Sequence, residues 1–305
     1  MNNIFLGEIK DWDTWGEVFQ SISLFKNLII KIFEKENLEI SEISNVTPGT
    51  NAVFKVGNYI IKIFVPIESG YDSEKDYFFE ITGMKRAMQL GINIPKLIAT
   101  SEIKDKYLFR YIIMDYINGK EAKDVLKKYS IDEKINFVKQ LKSNLNKMNT
   151  SPNKDFKIID LKEKALKNNR WNILKPHVVN QIKSLIKEYK EDEKVYVHGD
   201  ITSDNVIIDE NGKLYIIDFA DGMIASKEYE LPPILFDLFN FDKEMIKEFI
   251  GDNNLNDFIE KTFYSIFIHE FGVYFVKFIS EKLLKKRAED LNDISEIKVA
   301  LYDFL

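Results

Sequence analysis

The stretch from Val195 to Gly222, V-Y-V-H-G-D-I-T-S-D-N-V-I-I-D-E-N-G-K-L-Y-I-I-D-F-A-D-G, constrains this chain more than any other. Two short apolar runs of strand type, Asn205–Ile208 and Leu214–Ile217, flank a turn at Asn211-Gly212. An Asn-Gly pair between two such runs predicts a β-hairpin, since both residues tolerate the positive φ that tight turns demand. Polar residues gather at the outer ends of the runs: His198, Asp200 and Asn205 before the first, and Asp218 after the second. Antiparallel pairing sets the start of one strand beside the end of the other, so Asn205 and Asp218 are expected to meet. An Asp, an Asn and a second Asp would then converge at one mouth of the hairpin.

Such a set matches the needs of phosphoryl transfer to a hydroxyl. One carboxylate orients the hydroxyl and accepts its proton, while an Asn carbonyl and a second carboxylate offer hard oxygen ligands to Mg²⁺ on nucleotide phosphates. An Asp-rich hairpin with no chemistry would account for any one of these residues, but not for their order and strand context together. The residues H-G-D-x-x-x-x-N followed by I-D-F resemble the catalytic and metal-binding loops of the aminoglycoside phosphotransferase and choline kinase-like family. That resemblance implies an α+β, bilobal protein-kinase-like fold, with an N-terminal antiparallel sheet lobe and a larger, mainly helical C-terminal lobe. It makes Asp200 the catalytic base, gives Asn205 and Asp218 the magnesium, and leaves His198 to support the loop through hydrogen bonds. ATP or GTP is the implied co-substrate.

The N-terminal half supplies the nucleotide elements that this family would need. Residues Trp12–Leu38 carry apolar side chains three or four apart, which predicts a helical extension packed on the first lobe. From Ile40 to Val65 the period becomes that of strands, joined by T-P-G-T-N and by a Gly57-Asn58 turn. The first of these loops resembles the family's nucleotide loop, with Thr50 and Asn51 as added donors, although Gly49 is its only glycine. Lys62 stands in Y-I-I-K-I-F, where a lone ammonium between apolar neighbours needs a partner if it is buried. It fits the strand lysine that contacts the α- and β-phosphates. The helix expected over Tyr71–Leu90 offers Glu80 as its partner by family spacing, with Glu74 as the alternative. Beyond the strand Tyr107–Met114, D-Y-I-N-G-K resembles the hinge, where adenine would bond the Asp115 carbonyl and the Ile117 N–H. The expected division is therefore residues 1–114, a hinge over 115–119, and a catalytic and acceptor lobe over 120–305.

The second half reads as helices around the hairpin. They are expected over Asp132–Met148, over Leu161–Tyr189 with a break at Pro176, and over Pro233–Phe239, Lys243–Phe249 and Leu255–Leu284, with a loop at Ser151-Pro152-Asn153. Several features separate the chain from protein kinases. Gly199 replaces their usual Arg, Thr202 replaces their catalytic-loop lysine, Asp218-Phe219-Ala220 lacks the metal-loop glycine, and no A-P-E segment follows.

Composition excludes other chemistries. The chain has no cysteine and three histidines far apart, so disulfides, thiol catalysis and histidine-based metal sites are not expected. A net charge of −6 with interspersed signs shows no basic face for nucleic acid. No apolar stretch is long enough to span a bilayer and the N-terminus does not read as a signal peptide, so a cytoplasmic monomer or weak dimer is expected. The acceptor is the least constrained part. Asp221, Glu228, Glu230, Asp237 and Glu270 would present acidic surface to a polycationic aminoglycoside. A metabolic kinase for choline, ethanolamine or a fructosamine-like sugar is the alternative within the fold, and a non-catalytic nucleotide-binding module the alternative outside it.

Overall fold

The computed structural model describes residues 4–47, 49–151, 156 and 159–305. Pro48 of the nucleotide loop, and Pro152 and Asn153 of the Ser-Pro-Asn loop, lie outside the described residues. By internal contacts the chain divides into Met1–Asn118 with Ile217–Ala220, and Gly119–Ile216 with Asp221–Leu305.

The first unit is built on one antiparallel sheet. After helices α1 (Trp12–Val18) and α2 (Ile22–Lys35) come strands β1 (Ile43–Asn45), β2 (Ala52–Val56) and β3 (Tyr59–Ile63). Helix α3 (Glu74–Gln89) precedes β4 (Leu97–Lys104) and β5 (Leu108–Asp115), and the strand order is β1-β2-β3-β5-β4. Gly57 at φ +59° makes the tight β2–β3 turn, which pairs Val56 with Tyr59. The register then sets Lys62 between Val53 and Ile112, in a run where Ile61, Lys62 and Ile63 are all buried. Period-2 alternation explains how a charge survives there. Ile61 and Ile63 join Trp15, Phe25, Ile29 and Phe33 in the core under α1 and α2, and Lys62 points to the other face.

The amphipathic stretch Trp12–Leu38 forms two helices rather than one. Asp11 caps α1 in a reciprocal capping box with Thr14, and Ser21 stands in extended backbone as the N-cap of α2. The apolar spacing continues across the break because both helices bury one face on the same sheet. The turn Pro66–Gly70 and Ser73 likewise shorten the helix expected from Tyr71, which begins at Glu74.

The second unit holds β6 (Gly119–Glu121) and helices α4 (Ala122–Val125), α5 (Ile131–Met148), α6 (Leu161–Leu166) and α7 (Pro176–Glu188). Strands β7 (Lys194–Val197), β8 (Val206–Asp209), β9 (Leu214–Ile216) and β10 (Met223–Ser226) follow. Helices α8 (Lys243–Ile250), α9 (Leu255–Ile268), α10 (Gly272–Ile279) and α11 (Ser295–Phe304) complete it. The expected hairpin is present as β8–β9, with Val206 opposite Ile216, and Gly212 at φ +74° in its turn. Ser130 and Glu133 cap α5 reciprocally, which fixes where the helix starts.

Two of the long helices expected here are interrupted. Leu161–Tyr189 becomes α6, a 3₁₀ segment Asn169–Ile173 and α7, with Pro176 in the first turn of α7 where its missing N–H costs nothing. Leu255–Leu284 divides at His269, whose extended backbone ends α9 before Gly272 opens α10. A Cβ on Gly272 would lie 2.1 Å from the Ile266 carbonyl oxygen, so only glycine admits this close return. Among the described residues, no helix is long and apolar enough to cross a membrane.

Candidate active site

In the first unit the lone strand lysine finds two carboxylates. Lys62 Nζ lies 2.8 Å from Glu80 Oε2 and 2.8 Å from Asp218 Oδ1. Lys62 is 6% exposed and Glu80 is 1% exposed, so this pair is withdrawn from water. Burial alone would discharge the ammonium, but Asp218 and Glu80 outweigh it and hold Lys62 protonated. Burial pushes Glu80 up, against the pull of Lys62. Glu74, the alternative partner, instead meets Arg110 at 2.9 Å. Asp218 sits at φ +63°, a left-handed conformation that Asp adopts more readily than most residues. Its side chain stays 43% exposed, so a carboxylate oriented by Lys62 still faces out.

The loop before β2 is tied to the N-terminal helices. The Trp15 indole N–H donates to the Thr50 carbonyl at 3.0 Å, and Trp15 is itself buried. Asn51 is also buried, and its Oδ1 accepts the Val65 N–H at 3.2 Å. Thr50 is exposed, and a Cβ at Gly49 would meet nothing within 4 Å. At the end of β5 the Asp115 N–H goes to the Lys96 carbonyl and the Tyr116 N–H to the Asn58 carbonyl. Asp115 and Ile117 are both half-buried.

In the second unit the chain between β7 and β8 forms a loop held by three side chains from outside it and by one of its own. Glu230 accepts the His198 N–H at 2.6 Å and the Gly199 N–H at 3.2 Å through its two carboxylate oxygens. His198 is fully buried, and its Nδ1 accepts the Asp200 N–H at 3.3 Å. Asp237 accepts the Ser203 N–H at 2.7 Å. His269 Nε2 lies 3.0 Å from the Gly199 carbonyl, and its Nδ1 accepts the Phe271 N–H at 3.1 Å. These two bonds define the neutral Nε2–H tautomer, and burial lowers the His269 pKa to about 3. Gly199 stands at φ +84°, and a Cβ there would lie 2.8 Å from the Asp221 carbonyl oxygen. That close approach explains why this loop carries glycine where protein kinases carry arginine.

The loop presents Asp200 and Asn205 to each other. Asn205 Nδ2 donates to the Asp200 carbonyl at 2.9 Å and to Asp200 Oδ2 at 2.8 Å. These two bonds use the amide nitrogen and leave Oδ1 as the acceptor of the Asn205 side chain. Both side chains are half-buried.

The acidic residues expected to meet an acceptor divide differently. Glu230 is 2% exposed and spends its carboxylate on the loop backbone, and burial pushes its pKa up to about 7. Glu228 is also 2% exposed, with its carboxyl pushed up by burial. Asp237 holds Ser203, and Glu270 is ion-paired with Lys164. Asp221 is exposed. Two of the five are therefore buried and two are engaged inside the unit, because loop and helix packing consume them. His269 holds this loop, yet no sequence motif singles it out. A histidine flanked by I-F-I and E-F-G in a helix too greasy for solvent was the available signal.

The fold and these two constellations define a phosphotransferase of protein-kinase-like architecture. The sequence profile of the phosphotransferase enzyme family matches residues 49–253, and the chain belongs to that family, whose members act on alcohol groups. Comparison with curated protein sequences finds no match. Among solved structures it is similar to an aminoglycoside 2'-phosphotransferase-IIIa in complex with GDP, at 20% identity, 93% and 98% coverage of the two chains and a TM-score of 0.63. It is similar to a spectinomycin phosphotransferase bound to ADP and spectinomycin, at 17% identity, 91% and 98% coverage and a TM-score of 0.56. A choline/ethanolamine kinase family protein from Mesorhizobium loti follows at 12% identity, 86% coverage of each chain and a TM-score of 0.52.

Proposed function

We propose that this protein transfers the γ-phosphate of ATP or GTP to a hydroxyl of a small-molecule acceptor. The observation that carries the reading is the buried Lys62, charged and braced by Glu80 while it holds Asp218. A buried ammonium costs several kcal/mol to desolvate, and a fold keeps one where phosphate charge must be met. In this reading Lys62 contacts the α- and β-phosphates, with Thr50 and Asn51 in the loop beside them. Asp115 and Ile117 read adenine through their backbone.

Asp200 orients the acceptor hydroxyl and takes its proton as the new acceptor O–P bond forms and the bond from the γ-phosphorus to its bridging oxygen breaks. His198 supports the loop that carries Asp200. The donor set fits Mg²⁺, since Asn205 Oδ1 and the Asp218 carboxylate are hard oxygens, and these two residues would hold it. When bound, the ion neutralises phosphate charge. Lys62 and Glu80 keep the Asp218 carboxylate aimed for that task, and the Asn205 amide keeps Asp200 aimed for the hydroxyl.

The test separates base from ligand. Asp200→Asn should bind nucleotide as wild type does and lose transfer, whereas Asp218→Ala should lose Mg²⁺-dependent nucleotide affinity. Equal loss of affinity in both would contradict these roles. The acceptor screen should span aminoglycosides, the acceptor class carried by resemblance, together with choline, ethanolamine, sugars, sugar acids and a generic protein.

A further inference from the structure

A cleft of about 460 Å³ opens in the second unit between α6, the 3₁₀ segment that follows it and the turn joining α9 to α10. Its charged lining is Lys164, Lys167, Arg170 and Glu270, with Asn168 and Tyr229 among the neutral groups. Three cations and one carboxylate thus line it. Glu270 is ion-paired with Lys164, and Lys167 with Glu163, which leaves Arg170 as the cation without an ion pair among the described residues.

Arg170 is positioned rather than loose. Arg170 donates to the Glu270 carbonyl at 3.1 Å, and its guanidinium lies 5.1 Å from the centre of the Phe271 ring. Asn168 ties the same carbonyl at 3.2 Å and caps the Arg170 N–H at 3.0 Å. The cleft also belongs to the catalytic loop's surroundings. The Glu270 N–H donates to the Tyr229 hydroxyl at 3.2 Å. The Tyr229 ring stacks on His269 at 4.3 Å between centroids, and His269 holds the Gly199 carbonyl beside Asp200.

We infer that the acceptor carries an anionic group, a carboxylate or a phosphate ester, which this cleft receives while the hydroxyl is offered to Asp200. The inference rests on the kinase reading and deepens it. A polycation entering the same cleft would meet the unmatched Arg170 charge, and its capture would be opposed. A planar guanidinium fixed on one side by Phe271 suits a carboxylate or phosphate with two oxygens to offer.

Binding is measured by titration calorimetry on protein saturated with MgADP, so that the nucleotide site is filled. The probes are D-gluconate, D-glucose 6-phosphate, D-glucose and kanamycin, each at low and high salt. One or both anions should bind, glucose should not bind at the same concentrations, and anion affinity should fall as salt rises. Gluconate against glucose 6-phosphate distinguishes the carboxylate from the phosphate source. Arg170→Ala should weaken the anion about tenfold, the scale of one charge-assisted hydrogen bond. Lys164→Ala should weaken it more, because Glu270 is then unmatched. Adding Glu270→Ala should restore affinity to within about threefold of wild type, since the local charge balance returns.

Binding of neither anion below about 10 mM, the weakest affinity a specific small-ligand site would show, would overturn the inference. So would anion binding that ignores all three variants, or kanamycin binding that strengthens in Arg170→Glu. Failure of the kinase reading looks different, because no Asp200-dependent nucleotide turnover would appear with any acceptor even where an anion binds.

Discussion

His269 holds the loop that carries Asp200 as a neutral imidazole, and acid should undo that grip. The ring is 1% exposed, donates through Nε2 to the Gly199 carbonyl at 3.0 Å and accepts from the Phe271 N–H at 3.1 Å. Protonation would turn Nδ1 into a second donor facing the Phe271 N–H, in a site that burial keeps dry. Its pKa is lowered from 6.5 to about 3, so between those values the unfolded chain binds the proton that the folded chain refuses. Stability from this group is therefore complete above pH 6.5 and is lost as pH falls. At 1.36 kcal/mol per unit, moving from pH 7.5 to 5 should cost about 2 kcal/mol.

Glu230 runs the other way. Its pKa is raised from 4.5 to about 7, so the folded state binds the extra proton and gains about 2 kcal/mol over the same interval. The wild-type profile alone would hide both effects. His269→Gln isolates one, because the Gln amide offers a donor and an acceptor in similar places and does not titrate. Urea unfolding followed by circular dichroism at pH 7.5 and 5 should show wild type losing about 2 kcal/mol relative to His269→Gln. A difference between the two proteins that is unchanged across this range would refute the buried neutral tautomer and the anchoring role built on it.

Two further outcomes follow from the first unit. Lys62→Met should destabilise it by about 3–5 kcal/mol, because Glu80 is left as an uncompensated buried charge, and Lys62→Met/Glu80→Gln should recover part of that loss in the same unfolding assay. Turnover should fall more than nucleotide affinity in Lys62→Met, and a variant as stable and active as wild type would place the lysine in solvent. Trp15→Phe removes the indole bond to Thr50, worth about 1 kcal/mol, so the nucleotide KM should rise about fivefold with acceptor KM unchanged. An unchanged nucleotide KM would mean that the N-terminal helix only packs.

What the sequence by itself determined is what local chemistry dictates. The β8–β9 hairpin was legible because Asn211-Gly212 lies between two alternating runs, and turn geometry acts over a few residues. Lys62 was legible as an anomaly, one ammonium in an apolar strand, because desolvation makes that arrangement costly wherever it occurs. Choosing Glu80 over Glu74 took the family spacing, since both lie on one helix and only the packing of α3 on the sheet buries the first and exposes the second. Helix interruptions at Ser21 and His269 left the apolar spacing nearly intact, so periodicity read through them.

Tertiary structure alone decided what each acid does. Glu230, Asp237 and Glu270 look alike in sequence, yet one is sealed under His198 and Gly199, one takes the Ser203 N–H, and one faces a cluster of cations. His269 acts on a glycine 70 positions away. Burial and charge environment are sums over neighbours brought together by the fold, and the one-dimensional order of residues does not contain them.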